Sequence, residues 1–79
     1  MILETIRRVY PELTKSQQEL ADFITHSYRE AAFMTASDLA QRLNLNEATV
    51  IRFAQRLGYS GYPELVAAVR ELVQQELAI

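Results

Sequence analysis

The segment LAQRLNLNEATVIRFAQRLG, residues 39–58, decides the fold of this 79-residue chain. Apolar residues recur at helical spacing in both of its halves: Leu39, Ala40 and Leu43 in the first, and Val50, Phe53, Ala54 and Leu57 in the second. Thr35 offers a hydroxyl cap ahead of the first half, Asn46 caps the second, and Gly58 supplies a left-handed stop. We therefore predict helices at residues 36–43 and 47–57, joined by only three residues.

A turn of three or four residues between two short helices is the geometry of a helix-turn-helix. Ala40 lies where the two helices press together, and Asn44 occupies a turn position often taken by glycine, because asparagine tolerates the left-handed conformation. Val50 packs the second helix back against the first. The predicted core of the motif is Leu39, Ala40, Leu43, Asn44, Leu45, Val50, Phe53 and Leu57. This packing holds the second helix and leaves its opposite side exposed.

The remaining sequence predicts three more helices. A first helix over residues 2–10 is expected to end because Pro11 pushes the residue before it out of the α region. A second, over residues 15–27, follows a capping box formed by Thr14 and Gln17. A third, over residues 63–77, starts with Pro63, which is tolerated in a first turn. We expect one all-α domain over residues 1–79, a compact five-helix bundle of the homeodomain-like or winged-helix-like kind, without strands.

Composition excludes several classes of protein. The chain has no cysteine and one histidine, so disulfides are excluded and we expect no metal and no cofactor. No apolar run is long enough to span a bilayer, and no export signal is evident, which predicts a soluble, cytoplasmic protein. His26 has no partner at a diagnostic catalytic spacing, and there is no glycine-rich phosphate loop. We therefore do not expect an enzyme.

The net charge of −2 is a poor match for a protein that coats nucleic acid without specificity. The one stretch with a positive balance is residues 40–62, which carries Arg42, Arg52 and Arg56 against Glu47 alone. Two of these arginines fall in the second helix of the motif. The charge pattern therefore favours a local nucleic-acid contact.

On a helical wheel, the second helix of the motif places a polar arc opposite its apolar side. The N-terminal residues of such a helix meet base edges in a major groove, which makes Ala48, Thr49 and Arg52 the candidate base-reading residues. Helix termini and polar side chains suit phosphates. The candidate contacts to the DNA backbone are Thr35, Ser37, Asn46, Gln55, Arg56, Ser60 and Tyr62.

Two questions stay open at this point. Two helices with a short turn also occur in domains that never touch DNA, and the acidic balance with an apolar last helix would suit a helical protein-interaction adaptor. Helices one and five carry apolar residues that fit either self-association or packing within one chain: Leu3, Ile6, Val69, Leu72, Val73 and Leu77. A homodimer through these helices is one expectation.

The sequence resembles the N-terminal domain of RpiR-family transcriptional regulators of bacteria. The resemblance is carried by LNEATVIRF at residues 45–53, RLGY at 56–59 and GYPEL at 61–65, and it extends back through Leu13, Thr14 and the segment at 32–35. Two departures are Ser60, where the family often has lysine, and Asn46, where serine is frequent. Ser60 puts one phosphate contact in doubt, whereas asparagine caps as well as serine.

The resemblance implies a sequence-specific DNA-binding head that acts on genes of sugar-phosphate or amino-sugar metabolism, in the nucleoid of a bacterial cell. It implies that the head is normally followed by a sugar isomerase type domain, which binds a phosphosugar effector and can hold a dimer together. These 79 residues do not include that domain. The resemblance therefore leaves two alternatives, an excised head or a truncated natural protein, and the end at Ala78 and Ile79, on an apolar helix without a stop signal, favours the excised head.

Overall fold

The computed structural model describes residues 1–77, which form five α-helices and one short 3₁₀ turn. The helices are α1 (Ile2–Val9), α2 (Lys15–Ala31), α3 (Ala36–Leu43), α4 (Glu47–Arg56) and α5 (Tyr62–Leu77), and the 3₁₀ turn is Tyr10–Glu12. This part of the chain contains no strand, which confirms the all-α prediction. None of its helices is long and apolar enough to cross a membrane. The predicted unterminated end at residues 78–79 lies outside the described residues.

Helix α2 forms the centre of the fold and packs against α3, α4 and α5. Its inward face carries Leu20, Ala21 and Ile24, none of which is exposed to solvent. The Thr14 side chain accepts a hydrogen bond from the Gln17 N–H (3.2 Å), and the Gln17 side chain accepts one from the Thr14 N–H (3.0 Å). The capping box that begins α2 is therefore confirmed.

Helix α2 is longer than the sequence pattern predicts. It continues past the predicted end at residue 27 to Ala31, across a non-helical residue at Ser27 (φ −138°, ψ 37°). Ala31 and Ala32 are 2% and 1% exposed, so the extra turn buries apolar surface that a local pattern does not reveal. The prediction that α2 stops near Ser27 is wrong, because tertiary packing stabilises the helix beyond its kink.

The junction after α1 also differs from the prediction. Tyr10 stays in the right-handed helical region (φ −49°, ψ −45°), and the chain becomes extended only at Leu13 (φ −77°, ψ 149°). Pro11 has no N–H to continue the helical hydrogen bonds, and the chain tightens into a 3₁₀ turn instead. The expected displacement of Tyr10 from the helical region is therefore wrong. Smaller differences are that α4 ends at Arg56 and that α5 begins at Tyr62.

The joint between α3 and α4 agrees with the helix-turn-helix prediction. Asn44 is left-handed (φ 58°, ψ 45°), and the Leu45 N–H donates to the Ala40 carbonyl (2.8 Å), which closes the end of α3. The apolar core of the joint is buried at Leu39, Ala40, Val50, Phe53 and Leu57 and half-buried at Leu43 and Leu45. Gly58 ends α4 with the predicted positive φ of 100°.

Helices α1 and α5 bury most of their apolar residues within this chain. Ile6, Val69 and Leu72 are 3%, 1% and 7% exposed, so they belong to the core of the bundle. Leu3 and Val73 are half-buried, and Leu77 is 79% exposed. Packing within one chain therefore accounts for half of the residues that the sequence suggested for self-association.

The left-handed backbone at Asn44 predicts different effects on stability for two substitutions. Asn44→Ala places a residue that disfavours the left-handed region there, so we expect the free energy of unfolding to fall by about 1 kcal/mol. Asn44→Gly should leave it nearly unchanged, because glycine has no Cβ. Urea unfolding followed by circular dichroism measures both. Equal losses in the two variants would show that the backbone conformation is not the reason for the effect.

The burial of Val50 predicts a second effect on stability. Val50 has no exposed surface, so Val50→Asp buries a carboxylate without a partner and should cost about 3 kcal/mol or more. Ile51→Asp is the matched control, because the next residue of the same helix is 37% exposed. A Val50→Asp variant as stable as this control would contradict the assigned core.

Candidate nucleic-acid interface

Helix α4 has one buried side and one exposed side. Val50, Phe53 and Ala54 have no solvent-exposed surface, and their packing fixes the rotation of α4 about its axis. The opposite side is formed by Ala48, Ile51, Arg52, Gln55 and Arg56, all of them exposed, with the half-buried Thr49 at its edge. We call these six residues the α4 outer face. A helix with one exposed face of this kind fits a major groove, which is about 12 Å wide.

Asn46 and Thr49 are hydrogen-bonded to each other at the start of α4. The Asn46 Oδ1 accepts hydrogen bonds from the Thr49 N–H (2.8 Å) and from the Thr49 hydroxyl (2.9 Å). Asn46 is therefore the N-cap that the sequence predicts. The Thr49 hydroxyl already donates within the protein, which leaves its oxygen as an acceptor and its methyl group as an apolar contact.

The three arginines of the net-positive stretch have different surroundings. An Nη of Arg56 donates to the Glu12 carbonyl (3.1 Å) and lies 3.8 Å from a Glu12 carboxylate oxygen. Arg42 pairs with Glu30 of α2 and stacks over the Phe23 ring, 5.1 Å from its centroid. Arg52 has no ion-pair partner among residues 1–77. The unpaired cation of this stretch is therefore the one in the middle of the α4 outer face.

The pair of Arg42 and Glu30 joins α3 to α2. The hydrogen bond from Arg42 lowers the pKa of Glu30, and the same hydrogen bond to Glu30 raises the pKa of Arg42. Both side chains are about half exposed, so the pair is screened by water and adds little to stability. Its effect on the site is electrostatic, because the Glu30 carboxylate offsets the positive charge of Arg42.

The start of α3 carries a capping box. The Thr35 hydroxyl accepts from the Asp38 N–H (3.0 Å), and the Asp38 carboxylate accepts from the Thr35 N–H (3.0 Å). Thr35 and Ser37 are both exposed, as a phosphate contact requires. The Asp38 carboxylate already accepts from one N–H group at the start of α3, and its negative charge lies beside the remaining N–H groups of that helix start.

The two candidate phosphate contacts at the start of α5 differ in their exposure to solvent. Ser60 is exposed, and its N–H donates to the Glu64 carboxylate (2.9 Å). Tyr62 is only 8% exposed, and its hydroxyl donates to the Met34 carbonyl (2.6 Å). Burial raises the pKa of Tyr62, so its phenol keeps this proton. The hydroxyl of Tyr62 therefore holds α5 to the loop before α3 and is not presented to a ligand.

Two features of this surface are absent from the sequence-based prediction. Ile51 belongs to the α4 outer face, although a β-branched residue beside Val50 suggests a core position; its place on a helical wheel is the signal that would have shown it. Glu12 reaches Arg56 from 44 positions away, and no local pattern indicates that contact. Within the described residues, no group of three or more His, Cys, Asp or Glu side chains is placed to hold a metal ion.

Comparison with known proteins gives one family and several curated relatives. Residues 1–76 match the family model described as "Helix-turn-helix domain, rpiR family". The chain is 32% identical over 71 residues to an Escherichia coli K12 protein named uncharacterized HTH-type transcriptional regulator YfhH. It is 35% identical over 63 residues to an uncharacterized HTH-type transcriptional regulator of Haemophilus influenzae.

These alignments cover most of this chain and a small part of each relative. They span 90% of this chain and 25% of the Escherichia coli protein, and 80% of this chain and 22% of the Haemophilus influenzae protein. The chain therefore corresponds to about a quarter of the length of the relatives it matches. No solved structure matches it.

Proposed function

Because the chain belongs to the rpiR family of helix-turn-helix domains, a DNA-binding unit of transcriptional regulators, we propose that it reads a specific base sequence through the α4 outer face. The observation that carries this proposal is the position of Arg52: exposed, without an ion-pair partner in the described residues, and opposite the buried side of α4. Arginine pairs bidentately with guanine in the major groove.

The other base contacts follow from the first turns of α4. Ala48 lies one turn before Arg52 on the exposed side and meets the apolar part of a base edge. Thr49 lies at the margin of this surface and contributes its methyl group or its acceptor oxygen. We assign Ala48, Thr49 and Arg52 to base reading.

Phosphate contacts surround this centre. We assign Arg56, which donates to the Glu12 carbonyl, and Gln55, which lies on the same exposed side of α4, to phosphates. Thr35, Ser37, Asn46 and Ser60 are exposed near helix starts, and we assign their polar side chains to phosphates. Tyr62 is left out of the proposed interface, because its hydroxyl already donates to Met34.

The assembly and its regulation are further parts of the proposal. A regulator of this type binds as a homodimer to two half-sites about one helical turn apart. The dimer forms through exposed parts of α1 and α5, or through the remaining three quarters of a regulator of the relatives' length. By resemblance to the family, that remainder is a sugar isomerase type domain with a phosphosugar effector, and the target genes serve sugar-phosphate or amino-sugar metabolism. The proposed setting is the bacterial cytoplasm and nucleoid, without a catalytic role.

Removing the Arg52 side chain should weaken sequence-specific binding to DNA. We expect Arg52→Ala to cost about 1 to 3 kcal/mol of specific binding and to relax the sequence preference, because a bidentate base contact is lost. The measurement is a selection of random duplex DNA at low salt by the chain tethered as a dimer, followed by binding curves on the enriched duplex.

The matched control is Arg29→Ala, which also removes one positive charge but from α2, where Arg29 pairs with Glu76. A control that keeps the enriched sequence while Arg52→Ala loses it supports the proposal. A folded wild-type protein that enriches no sequence would favour the protein-interaction adaptor instead.

Neutralising Glu12 should strengthen binding to any duplex. Its carboxylate lies beside Arg56 and repels phosphates, so we expect Glu12→Gln to raise affinity about twofold to fivefold at low salt, with a smaller gain at high salt. The carbonyl contact to Arg56 is retained in this variant. Glu71→Gln, an exposed residue of α5, is the charge-matched control. An equal gain in both would mean that net charge, and not the place of Glu12, sets the effect.

A further inference from the structure

Ile51 is a large apolar side chain on the α4 outer face. It is 37% exposed, whereas Val50 immediately before it has no exposed surface. The residues around it on the exposed side are Ala48, Arg52 and Gln55. Single exposed apolar residues are common on protein surfaces, but this one lies on the face proposed to enter the groove.

Neither core packing nor helix propensity explains isoleucine at this position. Ile51 lies outside the core of the bundle, and a β-branched residue forms helix less readily than alanine, leucine or a long polar residue. More than a third of its surface, 37%, stays exposed to solvent although the side chain is wholly apolar. A contact outside the protein is the interaction that suits it.

Helical geometry places Ile51 next to the base-reading residues. With about 100° and 1.5 Å per residue, Ile51 lies about 1.5 Å before Arg52 along the axis and about 60° around it from Ala48. Ala48 and Ile51 therefore form a short apolar strip along one side of the α4 outer face, with Arg52 beside it. A base pair next to the one contacted by Arg52 would face this strip.

We propose that Ile51 is a specificity-determining residue that packs against the 5-methyl group of a thymine in the major groove. This inference rests on the proposed function, since it requires α4 to enter that groove. The thymine methyl is the one apolar group that the four bases present there, whereas cytosine presents an amino donor at the neighbouring position. Isoleucine offers no hydrogen-bonding group, so the discrimination comes from burying the methyl group.

Deoxyuridine provides the direct test, because it differs from thymidine only in lacking the 5-methyl group. The probe is the duplex enriched by the 79-residue chain tethered as a dimer, with each thymine replaced in turn by deoxyuridine. We expect wild-type affinity to fall about fourfold at one position in each half-site, from the loss of one buried methyl group. In Ile51→Ala, the same replacement should have almost no effect.

Phe33→Ala is the matched control, because it removes another exposed apolar side chain, 81% exposed and outside the α4 outer face, and should keep the wild-type response to deoxyuridine. Circular dichroism establishes that each variant is folded. An enriched, Arg52-dependent duplex that has no methyl-sensitive thymine overturns the inference and leaves the proposed function standing. Sensitivity that persists in Ile51→Ala also overturns it and assigns the methyl contact to a neighbour such as Ala48. Failure to enrich any duplex rejects the proposed function itself.

Discussion

Asn44 holds the backbone in the left-handed region (φ 58°, ψ 45°), and the hydrogen bond from Leu45 to Ala40 closes α3 at that point. Only two further residues precede α4, so the second helix must cross the first within a short distance. This crossing requires a small residue at Ala40 and buries Val50 completely. The turn therefore sets both the position of α4 and the side that it exposes, and the proposed interface depends on it.

The charges around α4 favour selective binding by the proposed interface. Arg42 and Arg56 are each paired with an acidic residue, and Asp38 and Glu64 lie at the starts of α3 and α5. Binding that relies on phosphates alone is weak on such a surface, because few unpaired cations are available to release counterions. In the proposed interface, affinity then comes largely from contacts of the α4 outer face with bases, which favours discrimination between sequences over general attachment to DNA.

Two kinds of interaction hold this surface in place. Burial of apolar side chains between α2, α4 and α5 fixes the helices, with Phe53 and Ile24 fully enclosed. Hydrogen bonds at helix ends then define the loops between them, including Tyr62 to the carbonyl of Met34 and Arg70 to the carbonyl of Ala32. The loop before α3 is thereby attached to α5, so the start of the helix-turn-helix does not depend on its own short sequence for its position.

The sequence by itself determined the helix-turn-helix, because its signals are local: the caps at Thr35 and Asn46, the left-handed Asn44 and Gly58, and a 3.6-residue period between them. The extension of α2 past Ser27 was decided by packing between helices. Tertiary structure likewise decided which residues pair with the arginines, and it buried Tyr62 with its hydroxyl on the Met34 carbonyl. These contacts join residues 12 to 47 positions apart, and periodicity carries no information on which side chains meet over such distances.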